Sequence, residues 1–251
     1  MKIRVKTILL FSIATVLILG LIATTSRTHE DRQVNDLFIS IEGQDGQYFI
    51  EHSEVTALIN AENTDYVLGL NLDQLNLQEL ERRVEANAFV KDAQLYLDIK
   101  GNLHVKIKQA KPLARVLQPG GHSTYIDETG ELLPLNTRYT ARVPIVEFDD
   151  KIKWEASVLE SDFGFELLSL LKYIEEDPFW KAQIAHVIVD KNEELSFIPQ
   201  VTRQEVIFGK PSDVTDKFNR LKLFYTEVLP AKGWNTYRVV NVKYSNQIVC
   251  K

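Results

Sequence analysis

Residues 93–107, Ala-Gln-Leu-Tyr-Leu-Asp-Ile-Lys-Gly-Asn-Leu-His-Val-Lys-Ile, decide the fold. Ala93, Leu95, Leu97 and Ile99 alternate strictly, and Leu103, Val105 and Ile107 alternate again. A period of two places each set on one face of a pleated strand. Lys100-Gly101-Asn102 supplies the turn between them, so the stretch reads as a β-hairpin with one apolar face. Upstream, Asn76 with Glu79 three residues on has the form of a capping box, and Leu77, Leu80 and Val84 give the helix behind it an apolar face. Val55, Leu58 and Ile59, spaced i, i+3, i+4, mark a shorter helix after Ser53. Leu37, Ile39 and Ile41 alternate in a strand over 37–42, and Gly43 and Gly46 break the chain after it. The order is β-α-α-β-β. Two helices covering one face of a three-stranded sheet make a small α+β domain, placed at 37–111.

Pro112 marks the boundary to a second domain, 112–251. Ser123–Asp127 reads as a strand, Asp127-Glu128-Thr129-Gly130 as a turn and Glu131–Leu133 as a return strand. Leu167, Leu168, Leu171 and Ile174 mark a helix that stops before Pro178. Ile184–Val189, Leu195–Ile198 and Glu205–Phe208 are strand-like. Ser212 can cap a long helix with the face Val214, Phe218, Leu221, Tyr225 and Val228, and Pro230 follows its end. Tyr237–Tyr244 reads as a last strand. The pattern is a mixed-sheet β domain with two helices, without internal repeats or low-complexity tracts.

The chain has 251 residues, 45% of them hydrophobic and 25% charged, which is ordinary globular composition. Its net charge of −6 gives nucleic acid no reason to bind. The single cysteine, Cys250, excludes an intramolecular disulfide and a thiolate zinc site. The average hides an asymmetry: residues 1–27 carry Lys2, Arg4, Lys6 and Arg27 and no acid. Thr7–Thr25 is a 19-residue run without charge. At ~1.5 Å per residue such a helix spans ~28 Å, close to the ~30 Å hydrocarbon core. The basic tail 1–6 then lies in the cytoplasm, the helix occupies 7–25, residues 26–36 form a polar linker, and the rest lies outside. A cleaved signal peptide is the competing reading; the run exceeds a usual apolar h-region and lacks a clean Ala-x-Ala, so a retained anchor fits better.

At this point the chain resembles the FtsQ/DivIB family of bacterial cell-division proteins. The likeness rests on the basic tail and single membrane helix, and on the β-α-α-β-β module, which resembles a POTRA domain with Asn76, Leu80 and Ala88-Phe89-Val90-Lys91-Asp92-Ala93 at its helix-to-strand passage. It continues through Lys111-Pro112-Leu113-Ala114 and Tyr125-Ile126-Asp127-Glu128-Thr129-Gly130, and ends in Val239-Val240-Asn241-Val242-Lys243-Tyr244, similar to the family's closing strand. Departures are Gln109 where the family usually has Glu, and Asn241 and Lys243 in place of Asp and Arg.

Residues able to carry catalysis are scattered. His29, His52, His104, His122 and His186 form no HExxH motif or close pair, and there is no GxSxG. Pro119-Gly120-Gly121-His122 lacks the Lys-Ser/Thr of a phosphate loop. Asp127 and Glu128 are neighbours on a turn and cannot straddle a glycosidic bond. No base or basic cluster stands beside Cys250 to activate it. No catalytic residue, cofactor or metal is expected.

What remains is a binding protein. A final strand is often a sheet edge, and an edge can receive a partner strand. Backbone pairing along 240–246 is expected to supply affinity: Val240 and Val242 on the apolar face, Tyr244 as aromatic anchor, Lys243 paired with a partner acid, Ser245 and Asn246 as hydrogen-bonding side chains. The resemblance implies docking of the small division proteins FtsB and FtsL here, and a non-enzymatic scaffold linking early and late septal proteins at the inner membrane of the division septum. The resemblance also implies recruitment contacts on the POTRA-like domain. A membrane-tethered wall- or glycan-processing enzyme is the alternative; it requires a cleft with convergent carboxylates. A POTRA-type transport or outer-membrane assembly factor calls for several POTRA copies or a barrel.

Overall fold

The computed structural model describes residues 14–18, 32–43, 49–60, 66–118, 122–149, 152 and 159–251. The expected tail 1–6, most of the expected membrane helix 7–25 and the linker up to residue 31 lie outside the described residues. Residues 14–18 are helical, with Val16, Leu17 and Ile18 exposed. Among the described residues no helix is long and apolar enough to cross a membrane. The chain divides into two compact units, 1–109 and 110–251.

The first unit follows the β-α-α-β-β order. Strand β1 (Leu37–Glu42) is followed by α1 (His52–Ile59), a short 3-10 turn (Leu72–Gln74), α2 (Leu77–Glu85), β2 (Val90–Leu97) and β3 (Leu103–Gln109). The sheet order is β1-β3-β2, with β1 parallel and β2 antiparallel to the central β3. The alternating residues do what their period demands: Ala93, Leu95, Leu103, Val105 and Ile107 are buried against Val55, Ile59, Leu80 and Val84 of the helices. Asn76 caps α2, its side-chain oxygen accepting the Glu79 N–H at 3.1 Å. Helix α1 starts one residue before Ser53, and Glu51 replaces Ser53 at its cap, the Glu51 N–H donating to the Glu54 carboxylate at 3.0 Å. Strand β2 stops at Leu97, not Ile99. The Asp98 carboxylate accepts the Lys100 and Asn102 N–H groups, which bends the chain and leaves Ile99 91% exposed.

The second unit is built on one mixed nine-stranded sheet. Its strands are β4 (Pro112–Leu117), β5 (Ser123–Asp127), β6 (Leu132–Leu133), β7 (Ile145–Phe148), β8 (Ile184–Val189), β9 (Leu195–Pro199), β10 (Glu205–Gly209), β11 (Val239–Asn241) and β12 (Val249–Cys250). The spatial order is β12-β11-β10-β9-β8-β7-β4-β5-β6. The pairs β4/β7, β7/β8 and β10/β11 are parallel and the others antiparallel. One register row, Val116–Val146–Val187–Phe197–Val206–Val240–Cys250, runs across seven strands and faces the core.

The helices of this unit are α3 (Asp162–Glu176), α4 (Pro178–Gln183) and α5 (Val214–Leu223), the last continued through a π-turn (Phe224–Val228) into α6 (Leu229–Lys232). Leu167, Leu171, Trp180, Phe218, Leu221 and Phe224 bury themselves in the same cluster as the register row. The expected two helices are therefore extended in two places. Pro178 opens a new helix rather than a loop, because Asp177 caps it by accepting the Phe179 N–H at 2.8 Å and proline suits a first helical turn. The long helix starts after Asp213, which sits in the left-handed region at φ 51°, and not after a Ser212 cap.

Candidate interaction surface

The expected edge strand over 240–246 is shorter than its alternation suggested. Only Val239–Asn241 pairs as β11, parallel to β10 on one side and antiparallel to β12 on the other, so both of its edges are occupied. The Val242 N–H still reaches the Ile207 carbonyl at 3.0 Å, and there the ladder ends. Residues 244–246 form a turn with Asn246 at φ 59°, the left-handed conformation Asn tolerates. The Val240 and Val242 side chains are fully buried in the core. Tyr244, Ser245 and Asn246 are exposed, Tyr244 at 49%.

Two side chains hold this turn that the sequence reading did not connect to it. The Arg220 guanidinium donates from Nη1 to the carbonyls of Tyr244 (2.6 Å) and Gln247 (2.7 Å), and from Nη2 to that of Val242 (3.2 Å). Its Nε donates to Asp216 one helical turn earlier at 3.1 Å. Lys243 is not left open for a partner: its Nζ is bonded to the Glu194 carboxylate from the β8–β9 turn, a contact that raises the Lys243 pKa. Gly209 lies under the Lys243 stem; it has φ +76°, and a Cβ there would stand 2.9 Å from Lys243 Cγ. The i, i+4 spacing of Asp216 and Arg220 is visible in the sequence, but it indicates a helix-surface pair, with no sign of a contact 24 residues on.

The open side of the sheet belongs to β12. Val239 and Lys251 exchange both backbone bonds, Lys251 N–H to Val239 O at 2.9 Å and Val239 N–H to Lys251 O at 3.1 Å. In an antiparallel ladder the next residue then points its N–H and C=O the other way, so those of Cys250 face outward. The stretch of chain that carries β12 is basic in sequence. Residues 228–251 contain Lys232, Arg238, Lys243 and Lys251 and no acid, in a chain with net charge −6. In the first unit the outer edge of β2 is already covered: its Leu95 N–H donates to Glu81 Oε1 at 2.8 Å and its Ala93 N–H to Glu85 Oε1 at 3.4 Å, both carboxylates from α2.

Two histidines, His104 and His186, take structural positions. His104 is stacked between Phe38 (5.2 Å) and Tyr96 (5.0 Å), with Nε2 3.2 Å from Asp98. The Asn102 and Lys100 N–H groups hold the Asp98 carboxyl well below the usual carboxylate range. His186 Nε2 lies 2.9 Å from Glu147. Among the described residues no group of three or more His, Cys, Asp and Glu side chains could hold a metal. A cavity of about 540 Å³ opens between Pro144, Ile174, Pro178 and Ile184. The one carboxylate lining it, Glu175, is bridged by Lys111 at 3.2 Å and Lys181 at 2.7 Å.

Residues 111–251 match the family model described as FtsQ/DivIB, C-terminal related. The chain belongs to the FtsQ/DivIB family. Residues 32–108 match the POTRA-like domain, in agreement with the β-α-α-β-β order of the first unit. No curated protein matches the chain. For an FtsQ/DivIB protein the two matched regions carry a division-related scaffold role, division proteins as partners and association with the division septum.

Proposed function

We propose that this FtsQ/DivIB protein is a non-enzymatic, single-pass scaffold of the septal machinery that links early and late division proteins. The uncharged run 7–25 anchors it in the inner membrane, with 1–6 in the cytoplasm and 26–251 outside. Its partners are FtsB and FtsL. The observation that carries the reading is the end of the large sheet: a strand with an outward-facing backbone edge beside an exposed Tyr244 and an acid-free stretch of chain. A partner strand adds to β12, its acidic side chains meeting Arg238, Lys232 and Lys251. Tyr244 anchors the contact, with Ser245 and Asn246 donating and accepting beside it. Val240 and Val242 support the site from the core, and Lys243 supports it through Glu194.

The test is the association of the full-length chain with co-expressed FtsB in gently solubilised membranes. Tyr244→Ala is expected to weaken it by ~2 kcal/mol or more, about 30-fold, the hot-spot scale. Unchanged association with the folded variant would remove the site.

A further inference from the structure

We propose that Arg220 is a positioning residue for the docking turn: its guanidinium fixes residues 242–247 in the shape that presents Tyr244, before any partner arrives. The proposal rests on the reading of that turn as the docking surface. Where the chain leaves the ladder at Val242, the following carbonyls lose the strand partners that would satisfy them. The entry to the turn is held by Asn241, whose Oδ1 accepts the Lys243 N–H at 2.9 Å, and by the Lys243–Glu194 contact, but among the described residues no side chain of 244–247, the exposed Tyr244 and left-handed Asn246 included, makes a hydrogen bond that would select one shape. Arg220 supplies the selection. Its rigid fork reaches the carbonyls of Val242, Tyr244 and Gln247 at once, so the two ends of the turn and its exposed aromatic are tied to one planar group.

The fork is itself held. Asp216 fixes the Nε side at 3.1 Å, and the Arg220 side chain is only 14% exposed against 60% for Asp216. From the opposite side Lys243 is tied to Glu194 over Gly209. The turn is thus gripped by α5 and by the β8–β9 turn, and a partner meets a surface that needs no further ordering. Because the Arg220 hydrogen bonds go to backbone carbonyls and to Asp216, it acts on a partner through the turn and not by contact. Lysine, a point donor on a flexible stem, cannot span three carbonyls in one plane.

The experiment compares the full-length wild-type chain with Arg220→Met, Arg220→Lys and Tyr244→Ala. Backbone deuterium uptake is read over 242–250, with β8 and β9 as internal reference, and association is read with co-expressed FtsB. Arg220→Met is expected to speed exchange over 242–250 at least tenfold with β8 and β9 unchanged, and to weaken FtsB association at least tenfold. Arg220→Lys falls between Met and wild type in both readings. Tyr244→Ala lowers association and leaves exchange as in wild type. Unchanged exchange in Arg220→Met overturns the proposal, and so does faster exchange with undiminished association while Tyr244→Ala loses FtsB. If Tyr244→Ala itself keeps FtsB, the docking reading fails and the positioning role falls with it. Should Arg220→Met also loosen β8 and β9, Arg220→Lys decides: local loosening with weakened association upholds the proposal, and wild-type behaviour overturns it.

Discussion

The side-chain oxygen of Gln109 accepts the backbone N–H of Phe49 at 2.7 Å, across 60 residues of sequence. The same oxygen stands 3.4 Å from the Ile50 N–H. Both donors belong to the buried entrance to α1, and Gln109 is itself 9% exposed. The end of β3 thereby fixes where the chain enters its first helix. Phe49 then stacks on Phe89, with ring centroids 5.1 Å apart. Gln109 supplies the carbonyl acceptor without placing a charge in the core.

Replacing Gln109 with Leu removes this acceptor from the Phe49 and Ile50 N–H groups. The expected cost is ~1–3 kcal/mol of stability in the first unit, the range for a buried group stripped of its partner. Gln109→Glu keeps an acceptor and is expected to lose less at pH 7. Urea unfolding followed by deuterium uptake on α1 and β3 reads the change. A Leu variant as stable as wild type would show that these N–H groups find another acceptor.

The first unit was legible because its buried face follows one period at a time. The set Ala93, Leu95, Leu103, Val105 and Ile107 is alternating in sequence and buried in the fold. The second unit hides its organisation in parallel pairs and very short strands. β7 carries Ile145 and Val146 side by side after Pro144, which breaks any alternation, and its place between β4 and β8 is set by tertiary pairing. β4 begins Pro112-Leu113-Ala114, all three buried, so it reads as a boundary and not as a strand. β12 is two residues long and exists only against β11. At the candidate site the alternation Val240, Val242, Tyr244 is real, but the chain has left the sheet by its third member. There Arg220 takes the carbonyls of Val242, Tyr244 and Gln247 and Asn246 is left-handed, and neither leaves a local periodic signal. The sequence reading places Tyr244 as an aromatic anchor on a strand with polar Ser245 and Asn246 beside it, and the structure puts all three, exposed, on a turn.

Lys217 links stability to pH. It is 5% exposed, its Nζ donates to the Lys210 carbonyl at 2.7 Å, and the ammonium lies 4.8 Å from the Phe208 ring centre. Burial pushes its pKa down; Asp213, Glu166 and Glu194 oppose that push and Arg220 adds to it. Between the lowered folded value and the ordinary lysine value the unfolded chain binds more protons, so stability rises with pH in that window. Below it both states are protonated, and the cost of burying the charge is carried in full. Lys217→Met keeps the packing and lacks the titration. The gap in urea midpoint between wild type and Lys217→Met is therefore expected to move in favour of wild type as pH is raised from 7.5 towards 10. A gap independent of pH would mean that Lys217 titrates alike in both states.

The outward edge of β12 gives the docking reading a test that touches no side chain on the proposed contact. Cys250 directs its N–H away from β11, while Lys251 and Val239 make the inward bonds at 2.9 and 3.1 Å. Proline at position 250 removes only the outward donor, and edge strands accept proline where the missing N–H faces solvent. Cys250 packs partly against the core, so some stability is lost with it. Cys250→Ala loses the same sulfur and keeps the N–H, which makes it the matched control. If a partner strand pairs with β12, Cys250→Pro is expected to lower FtsB association about tenfold beyond Cys250→Ala, for one lost backbone bond and a disturbed register. Tyr244 stays exposed and the turn stays held by Arg220 in both variants. Equal association of the two would mean that the partner engages the Tyr244 turn through side chains alone, and that the sheet is not extended on binding.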